Sequence, residues 1–248
     1  MAYDLISFDL DGTLVDTAGE IAEAVNRALE SNGIARRSAS EITELIGAGT
    51  QELMLKLLAR CMLEQPELVE NVDPDAVLAS LDDHYTATTG TSAQPYPGCL
   101  GTLVELKQAG LRLACVTNKE LRHALRVLRA TGLDGCFDLV VGGDSLPEKK
   151  PHGSVLDYAA RVLGATLERT AHVGDSATDV AAARNAGVAA WAVPFGYNAG
   201  VPIAESRPDL IFQSLPDVAA HVFARREAAA AALKRSTLLP KPDRRMLR

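Results

Sequence analysis

Two aspartates, two positions apart, directly follow an apolar segment near the start of the chain. The run Phe8-Asp9-Leu10-Asp11-Gly12-Thr13 comes after Leu5-Ile6-Ser7, a pattern typical of a buried strand. Paired acids repel each other unless positive charge holds them, and a divalent cation is the usual partner. The run therefore indicates a candidate metal-dependent site. An ordinary Asp-Gly turn, with Asp16 or Thr17 as the N-cap of a helix, is the alternative explanation.

Three further polar segments also follow predicted strands. Thr117-Asn118 follows the apolar run 111–116, Lys149-Lys150-Pro151 follows 139–141, and the segment from Gly174-Asp175 to Asp179 follows 171–173. The carboxyl ends of parallel strands meet along one edge of a sheet, where α/β proteins bind their ligands. We therefore expect these side chains to converge on the paired aspartates.

The elements that must position these residues alternate between strand and helix. Helical patterns cover about 98–109, 120–131, 153–163, 177–186 and 216–233, and most of them end at a glycine. Such alternation predicts an α/β fold, a Rossmann-like doubly wound parallel sheet with helices on both faces.

Residues 16–92 interrupt the alternation with amphipathic helical patterns and show no strand-like alternation. We interpret this segment as an all-helical insertion. The predicted division is a core of residues 1–15 and 96–233, a helical cap of residues 16–95, and a basic tail of residues 234–248, expected to be disordered. Hinges are expected near 15–17 and 91–96.

The composition excludes several classes of protein. The 248 residues are 47% hydrophobic and 23% charged, which is typical of a soluble globular protein, and the net charge of −7 argues against nucleic acid or an anionic membrane as partner. No apolar run reaches the roughly 18 residues of a membrane helix, and no signal segment precedes the first strand. The four cysteines are widely spaced, which favours reduced thiols and a cytoplasmic location. The sequence leaves monomer and homodimer open.

The order of these segments resembles that of the haloacid dehalogenase-type phosphohydrolases. The matching segments are Asp9-Leu10-Asp11-Gly12-Thr13, Thr117, Lys150-Pro151 and Gly174 to Asp179. The run from Gly142 to His152 is similar to that of the phosphoglycolate phosphatase branch. The resemblance implies a Mg²⁺-dependent phosphatase with a small helical cap, which hydrolyses a small phosphomonoester through an aspartyl phosphate.

The resemblance also implies a role for each residue. Asp9 is the expected nucleophile and Asp11 the general acid and base, and its backbone carbonyl is also expected to face the metal. Lys150 supplies positive charge, and Thr117 with Asn118 contacts the phosphoryl oxygens, although Asn118 could instead cap the next helix. Asp9, Asp11 and Asp175 form the expected magnesium site, which Asp179 supports without being a ligand. Lys149 is expected to be solvated, and His172 to be a core residue.

The loop Gly47-Ala48-Gly49-Thr50-Gln51 precedes a predicted helix in the insertion. Its glycines leave backbone N–H groups free for an anion, so Gly47, Gly49 and Thr50 are candidate substrate contacts; a simple helix-joining loop is the alternative. The favoured substrate is 2-phosphoglycolate, with a sugar phosphate or amino-sugar 6-phosphate as the alternative. No arginine stands in this loop, which argues against a phosphomutase, and Asp11 argues against a dehalogenase. A non-catalytic binding module is disfavoured because Asp9, Asp11, Lys150 and Asp175 are all present.

Overall fold

A six-stranded parallel sheet forms the centre of the molecule in the computed structural model, which describes residues 3–238 and, for residues 233–238, the backbone alone. The strands are β1 (Leu5–Phe8), β4 (Arg112–Val116), β5 (Leu139–Val141), β6 (Thr170–Gly174), β7 (Ala189–Ala192) and β8 (Leu210–Ile211). Their order is β5-β4-β1-β6-β7-β8, and every neighbouring pair is parallel. This confirms the predicted α/β class.

Alternate side chains of the central strands enter two separate hydrophobic clusters. Ile6 and Phe8 of β1 pack in one cluster and Leu5 in the other. The same alternation separates Leu113 from Ala114 in β4. Both faces of the sheet are therefore buried, as expected of parallel strands that crossover helices cover.

Five α-helices of the described part of the chain accompany the sheet. They lie within one or two residues of the predicted bounds, except at the end of the last one, because glycines such as Gly110, Gly132 and Gly187 end them in left-handed conformations. These helices are α6 (Cys99–Gln108), α7 (Leu121–Ala130), α8 (Ser154–Val162), α9 (Ala177–Ala186) and α10 (Leu215–Leu238).

The last helix differs from the prediction. α10 continues to Leu238, so the first residues of the segment expected to be a disordered tail are helical. The alanine-rich run 228–232 explains the extension, since alanine has the highest helix propensity. The rest of the predicted tail, residues 239–248, lies outside the described residues.

Five helices also fill the segment between β1 and α6. We call residues 16–95 the insertion. Its helices are α1 (Ala18–Ser31), α2 (Ala39–Thr43), α3 (Thr50–Glu64), α4 (Leu68–Asn71) and α5 (Pro74–Thr88). They share a hydrophobic cluster of their own, built from residues 21–85, in which α1 packs along α5.

A short antiparallel ribbon joins the insertion to the sheet. β2 (Val15–Asp16) pairs with β3 (Gln94–Pro95), so the chain enters and leaves the insertion at adjacent positions. The expectation of an entirely helical segment missed this ribbon, because strands of two residues are too short to show alternation. The ribbon lies at both predicted hinges.

The described residues include no helix with the length and apolarity that a membrane crossing needs. All four cysteines are buried and free. Cys115 lies in the middle of the sheet, and Cys61 lies in the cluster of the insertion.

Candidate active site

The polar residues after the strands meet at one edge of the sheet. Asp9 follows β1, Thr117 follows β4 and Asp175 follows β6, and these three strands are neighbours. Lys150 reaches the same place from the loop after β5. The structure thus brings together the residues that the sequence placed at separate strand ends.

Three aspartates form the centre of this site, which we call the acid cluster: Asp9, Asp175 and Asp179. One carboxylate oxygen of each lies within 4.8 Å of the others, and all three residues are buried. Thr13 Oγ1 donates a hydrogen bond of 2.8 Å to Asp175 Oδ1, and the Tyr197 backbone N–H donates one of 2.6 Å to Asp175 Oδ2. The carboxylate of Asp175 is therefore fixed from two sides.

The turn after β1 depends on a glycine. Gly12 has a φ of +83°, which side chains rarely adopt, and a Cβ there would collide with the carboxylate of Asp175. The turn can therefore bring the backbone close to the acid cluster only with glycine at this position.

Lys150 supplies positive charge to the acid cluster. Its Nζ donates a hydrogen bond of 2.6 Å to Asp179 Oδ1 and lies 2.7 Å from Asp9 Oδ1. Asp179 also accepts hydrogen bonds from the backbone N–H and hydroxyl of Ser176, and His172 Nε2 lies 3.2 Å from its Oδ1. Protein groups thus contact both carboxylate oxygens of Asp179, which fits the expected supporting role better than direct metal binding.

The electrostatics differ among the three acids. Burial would raise the pKa of Asp179, but the charge of Lys150 and the hydrogen bond with His172 outweigh it and hold this pKa below its ordinary value. Burial raises the pKa of Asp9 to about 7 despite Lys150. Burial, followed by repulsion from Asp179 and Asp9, raises the pKa of Asp175 well above its usual range. Ionisation of all three acids therefore requires more positive charge than Lys150 supplies.

A hard divalent cation fits this arrangement. Asp9 Oδ1 is buried and, although close to Lys150 Nζ, has no aligned hydrogen-bond donor among the described residues. Carboxylate oxygens of this kind are what Mg²⁺ binds in proteins. Asp9 and Asp175 are thus the side chains available to hold a metal.

Asp11 makes different contacts from the acid cluster. Its Oδ1 accepts hydrogen bonds of 2.6 Å from Thr17 Oγ1 and 2.8 Å from Lys119 Nζ. The carboxylate oxygen Oδ1 therefore faces the entrance of the insertion, and the expected metal contact of Asp11 is the one through its backbone carbonyl. Lys119 was not among the predicted site residues, although it lies only two residues after Thr117 at the end of β4.

A cavity lies between the insertion and the sheet edge. Its volume is about 30 Å³, and its lining combines residues of both parts: Asp9, Asp11, Gly47, Gly49, Thr50, Tyr85, Thr117, Asn118 and Lys119 among them. The candidate contacts of the loop 47–51 thus face the paired aspartates.

Two polar contacts hold this loop against the core. Asn118 Nδ2 donates to the carbonyl oxygens of Gly47 (3.0 Å) and Lys150 (2.9 Å), so it does not cap α7. Lys149 Nζ donates to Ala48 O at 2.6 Å, which corrects the expectation of a merely solvated side chain. Both contacts close the insertion over the cavity.

Comparisons with known proteins identify the family of this chain. A model of the haloacid dehalogenase-like hydrolases matches residues 3–187. The chain belongs to the haloacid dehalogenase-like hydrolases. It is 37% identical over 211 residues to the phosphoglycolate phosphatase of Vibrio vulnificus, a match that covers 85% of this chain and 92% of that one.

Solved structures of the same family agree with the fold of this hydrolase. A crystal structure described as a predicted phosphoglycolate phosphatase from Haemophilus somnus superposes with a TM-score of 0.80 at 34% identity, covering 87% of this chain and 96% of that one. The CbbY protein of Rhodobacter sphaeroides, crystallised in complex with phosphate, has a TM-score of 0.70 at 25% identity and covers 87% and 95%.

The hydrolase also uses residues that the sequence analysis did not single out. The hydroxyl of Tyr197 accepts hydrogen bonds from the backbone N–H groups of Thr17 (2.9 Å) and Ala18 (3.1 Å). Its backbone N–H donates a hydrogen bond to Asp175. Thr13 and Tyr197 thus fix one acid of the cluster. Thr13 could have been found within the opening run, whereas nothing in the local sequence marks Tyr197.

Proposed function

We propose that this hydrolase is a Mg²⁺-dependent phosphatase of small phosphomonoesters and that 2-phosphoglycolate is its preferred substrate. The observation that carries the proposal is the environment of Asp9. This buried carboxylate lines the cavity and lies 2.7 Å from Lys150 Nζ and within 4.8 Å of a carboxylate oxygen of Asp175, and Asp11 lies two residues further along the chain. The Vibrio vulnificus relative and the Haemophilus somnus structure both carry the name phosphoglycolate phosphatase.

The reaction follows from these positions. Asp9 attacks phosphorus and forms an aspartyl phosphate, while Asp11 gives a proton to the departing alkoxide. Asp11 then takes a proton from the water that hydrolyses the aspartyl phosphate. Lys150 and the hydroxyl of Thr117 offset the negative charge on the phosphoryl oxygens.

The metal belongs to the same proposal. Asp9, Asp175 and the backbone carbonyl of Asp11 would hold Mg²⁺, which when bound supplies charge neutralisation for the phosphoryl group. Asp179 positions Lys150, because it holds the ammonium at 2.6 Å.

The cavity is so small that the insertion must move to admit any phosphate ester, and a small leaving group requires the least movement. About 30 Å³ lies between the loop 47–51 and the paired aspartates. We propose that the insertion acts as a cap, which opens at the ribbon to admit substrate and closes to exclude water. A sugar phosphate would require the cap to remain further from the core during the reaction.

A panel of phosphate esters with Mg²⁺ tests the proposal. We expect the highest kcat/KM for 2-phosphoglycolate, lower values for glucose 6-phosphate and glucosamine 6-phosphate, and no turnover by Asp9→Asn. Equal kcat/KM values across the panel would contradict the substrate assignment. Full activity of Asp9→Asn would contradict the mechanism.

A further inference from the structure

A second buried lysine lies beside the reaction centre. Lys119 and Lys150 are the buried lysines of the described residues. The side chain of Lys119 is 1% exposed, and its Nζ lies 2.8 Å from Asp11 Oδ1. Lys150 already serves two carboxylates of the acid cluster, whereas the described hydrogen bonds of the Lys119 ammonium go to one oxygen. Since an ammonium has three donors, Lys119 retains donors on the wall of the cavity.

The insertion places a hydroxyl without an acceptor next to this ammonium. Tyr85, on α5, lines the same cavity, and Lys119 Nζ lies 5.1 Å from the centre of its ring. The residue is 2% exposed, and its hydroxyl lies beside the Lys119 ammonium but donates to no acceptor among the described residues. A buried donor without an acceptor is costly, so an acceptor in the cavity would stabilise this arrangement.

A third source of positive potential faces the same space. Helix α3 has 15 residues and begins at Thr50, and Gly49, Thr50 and Leu53 of its first turn line the cavity. The free N–H groups at the start of a helix attract anions. The cavity wall therefore combines an ammonium, a phenolic hydroxyl and a helix N-terminus.

We propose that Lys119 and Tyr85 form a carboxylate-binding subsite that selects phosphate esters of short 2-hydroxy acids. The inference rests on the proposed function, because it concerns the leaving group of that reaction. The ester oxygen that leaves must lie beside Asp11, which protonates it. In a 2-hydroxy acid, one carbon separates this oxygen from the carboxylate. An ammonium 2.8 Å from Asp11 is therefore within reach of the carboxylate.

The subsite would compensate the repulsion between the paired aspartates and an anionic leaving group. Asp9 and Asp11 line the cavity, so an anionic leaving group is disfavoured there unless a cation compensates it. With Lys119 and Tyr85 present, the same subsite disfavours a neutral leaving group, because the two donors then lack their acceptor. Sites that hydrogen-bond a polar group of the substrate commonly show a much lower kcat/KM for the analogue that lacks this group.

The test compares 2-phosphoglycolate with 2-hydroxyethyl phosphate, in which a neutral hydroxymethyl group replaces the carboxylate. The measured quantity is the ratio of kcat/KM for the two esters. We expect Tyr85→Phe to lower this ratio about 10-fold, as for a lost hydrogen bond to a charged group, and Lys119→Met to lower it about 100-fold or more. Lys107→Met is the control, since Lys107, on α6, contacts the carbonyl oxygens of Gly135 and Cys136 and does not line the cavity, and it should leave the ratio unchanged.

The outcomes separate this inference from the proposed function. An equal loss for both esters in Lys119→Met would show that Lys119 only positions Asp11, and would overturn the subsite. Wild-type protein that hydrolyses both esters equally well would also overturn it, while the phosphatase assignment stands. Absence of turnover of any phosphate ester would instead refute the proposed function. Tyr85→Phe keeps the ion pair of Lys119 with Asp11, so it decides the question even if Lys119→Met does not fold.

Discussion

Replacing Lys150 with methionine tests whether one buried ammonium holds the acid cluster together. Its Nζ lies 2.6 Å from Asp179 and 2.7 Å from Asp9, and its side chain is 2% exposed. At such distances an effective dielectric constant of about 20 gives an attraction of roughly 6 kcal/mol per pair before desolvation. Desolvation offsets most of this attraction, and removal of one partner from a buried pair typically costs about 3–5 kcal/mol.

We therefore expect Lys150→Met to lower the free energy of unfolding by about 3–5 kcal/mol, or the Tm by about 6–20 °C. Scanning calorimetry in the presence of EDTA measures this change. The control is Lys149→Met, which removes an adjacent lysine whose side chain is 42% exposed and should cost less than about 1 kcal/mol. Mg²⁺ should raise the Tm of Lys150→Met more than that of the wild type, because the variant keeps three buried carboxylates without their ammonium.

The activity of the same variant provides a second measurement. Loss of a charge that faces the phosphoryl group should lower kcat by at least about 100-fold in saturating Mg²⁺. Equal Tm values for Lys150→Met and Lys149→Met in EDTA would refute the assignment of Lys150 as the counter-charge of the cluster. A wild-type kcat would refute its role in the reaction.

Three other predictions follow from the geometry of the site. Asp9→Asn should raise the Tm of the metal-free protein, because burial raises the pKa of Asp9 to about 7 and an amide avoids the free-energy cost of ionising a buried carboxyl group. A lower Tm of the variant in EDTA would contradict this. The unfolded chain ionises Asp9 near pH 3.8 and the folded, metal-free protein only near pH 7, so stability falls as the pH rises through this interval. The increase in Tm that Mg²⁺ produces should therefore grow over the same interval, and an increase independent of pH would argue against metal at Asp9. Gly49→Ala should lower the free energy of unfolding by about 1–3 kcal/mol and raise KM for 2-phosphoglycolate, because Gly49 has a φ of +98° and a Cβ there would lie 3.2 Å from Asn118 O. Unchanged Tm and KM would show that the loop adapts freely.

The sheet and its helices were predictable because their signals are local. Apolar runs such as Leu111–Val116 form strands that are buried on both faces, and glycines such as Gly110 and Gly187 end the preceding helices. The convergence of Asp9, Thr117 and Asp175 followed from the same information. In a parallel sheet, topology alone brings the carboxyl ends of the strands together.

The partners of these residues were not predictable, because they come from distant segments. Lys119 follows Asn118 in a polar stretch that indicates a solvated side chain. It is buried because Tyr85, on the insertion, covers it. Tyr197 lies in a loop after β7, and only the folded chain brings it to Asp175 and to the start of α1. Residues that join two parts of a molecule leave no periodic pattern in either part.

The ribbon of β2 and β3 has a consequence for the evolution and engineering of this chain. Val15 pairs with Pro95 and Asp16 with Gln94, so both ends of the insertion lie about 5 Å apart. The insertion also has its own hydrophobic cluster, separate from the two that flank the sheet. Removing it would therefore leave a gap that a tight hairpin turn could close without displacing β1. The sheet and the helices of the insertion are thus separate packing units, and a related helical module joined at the same two residues could replace the insertion without rebuilding the sheet.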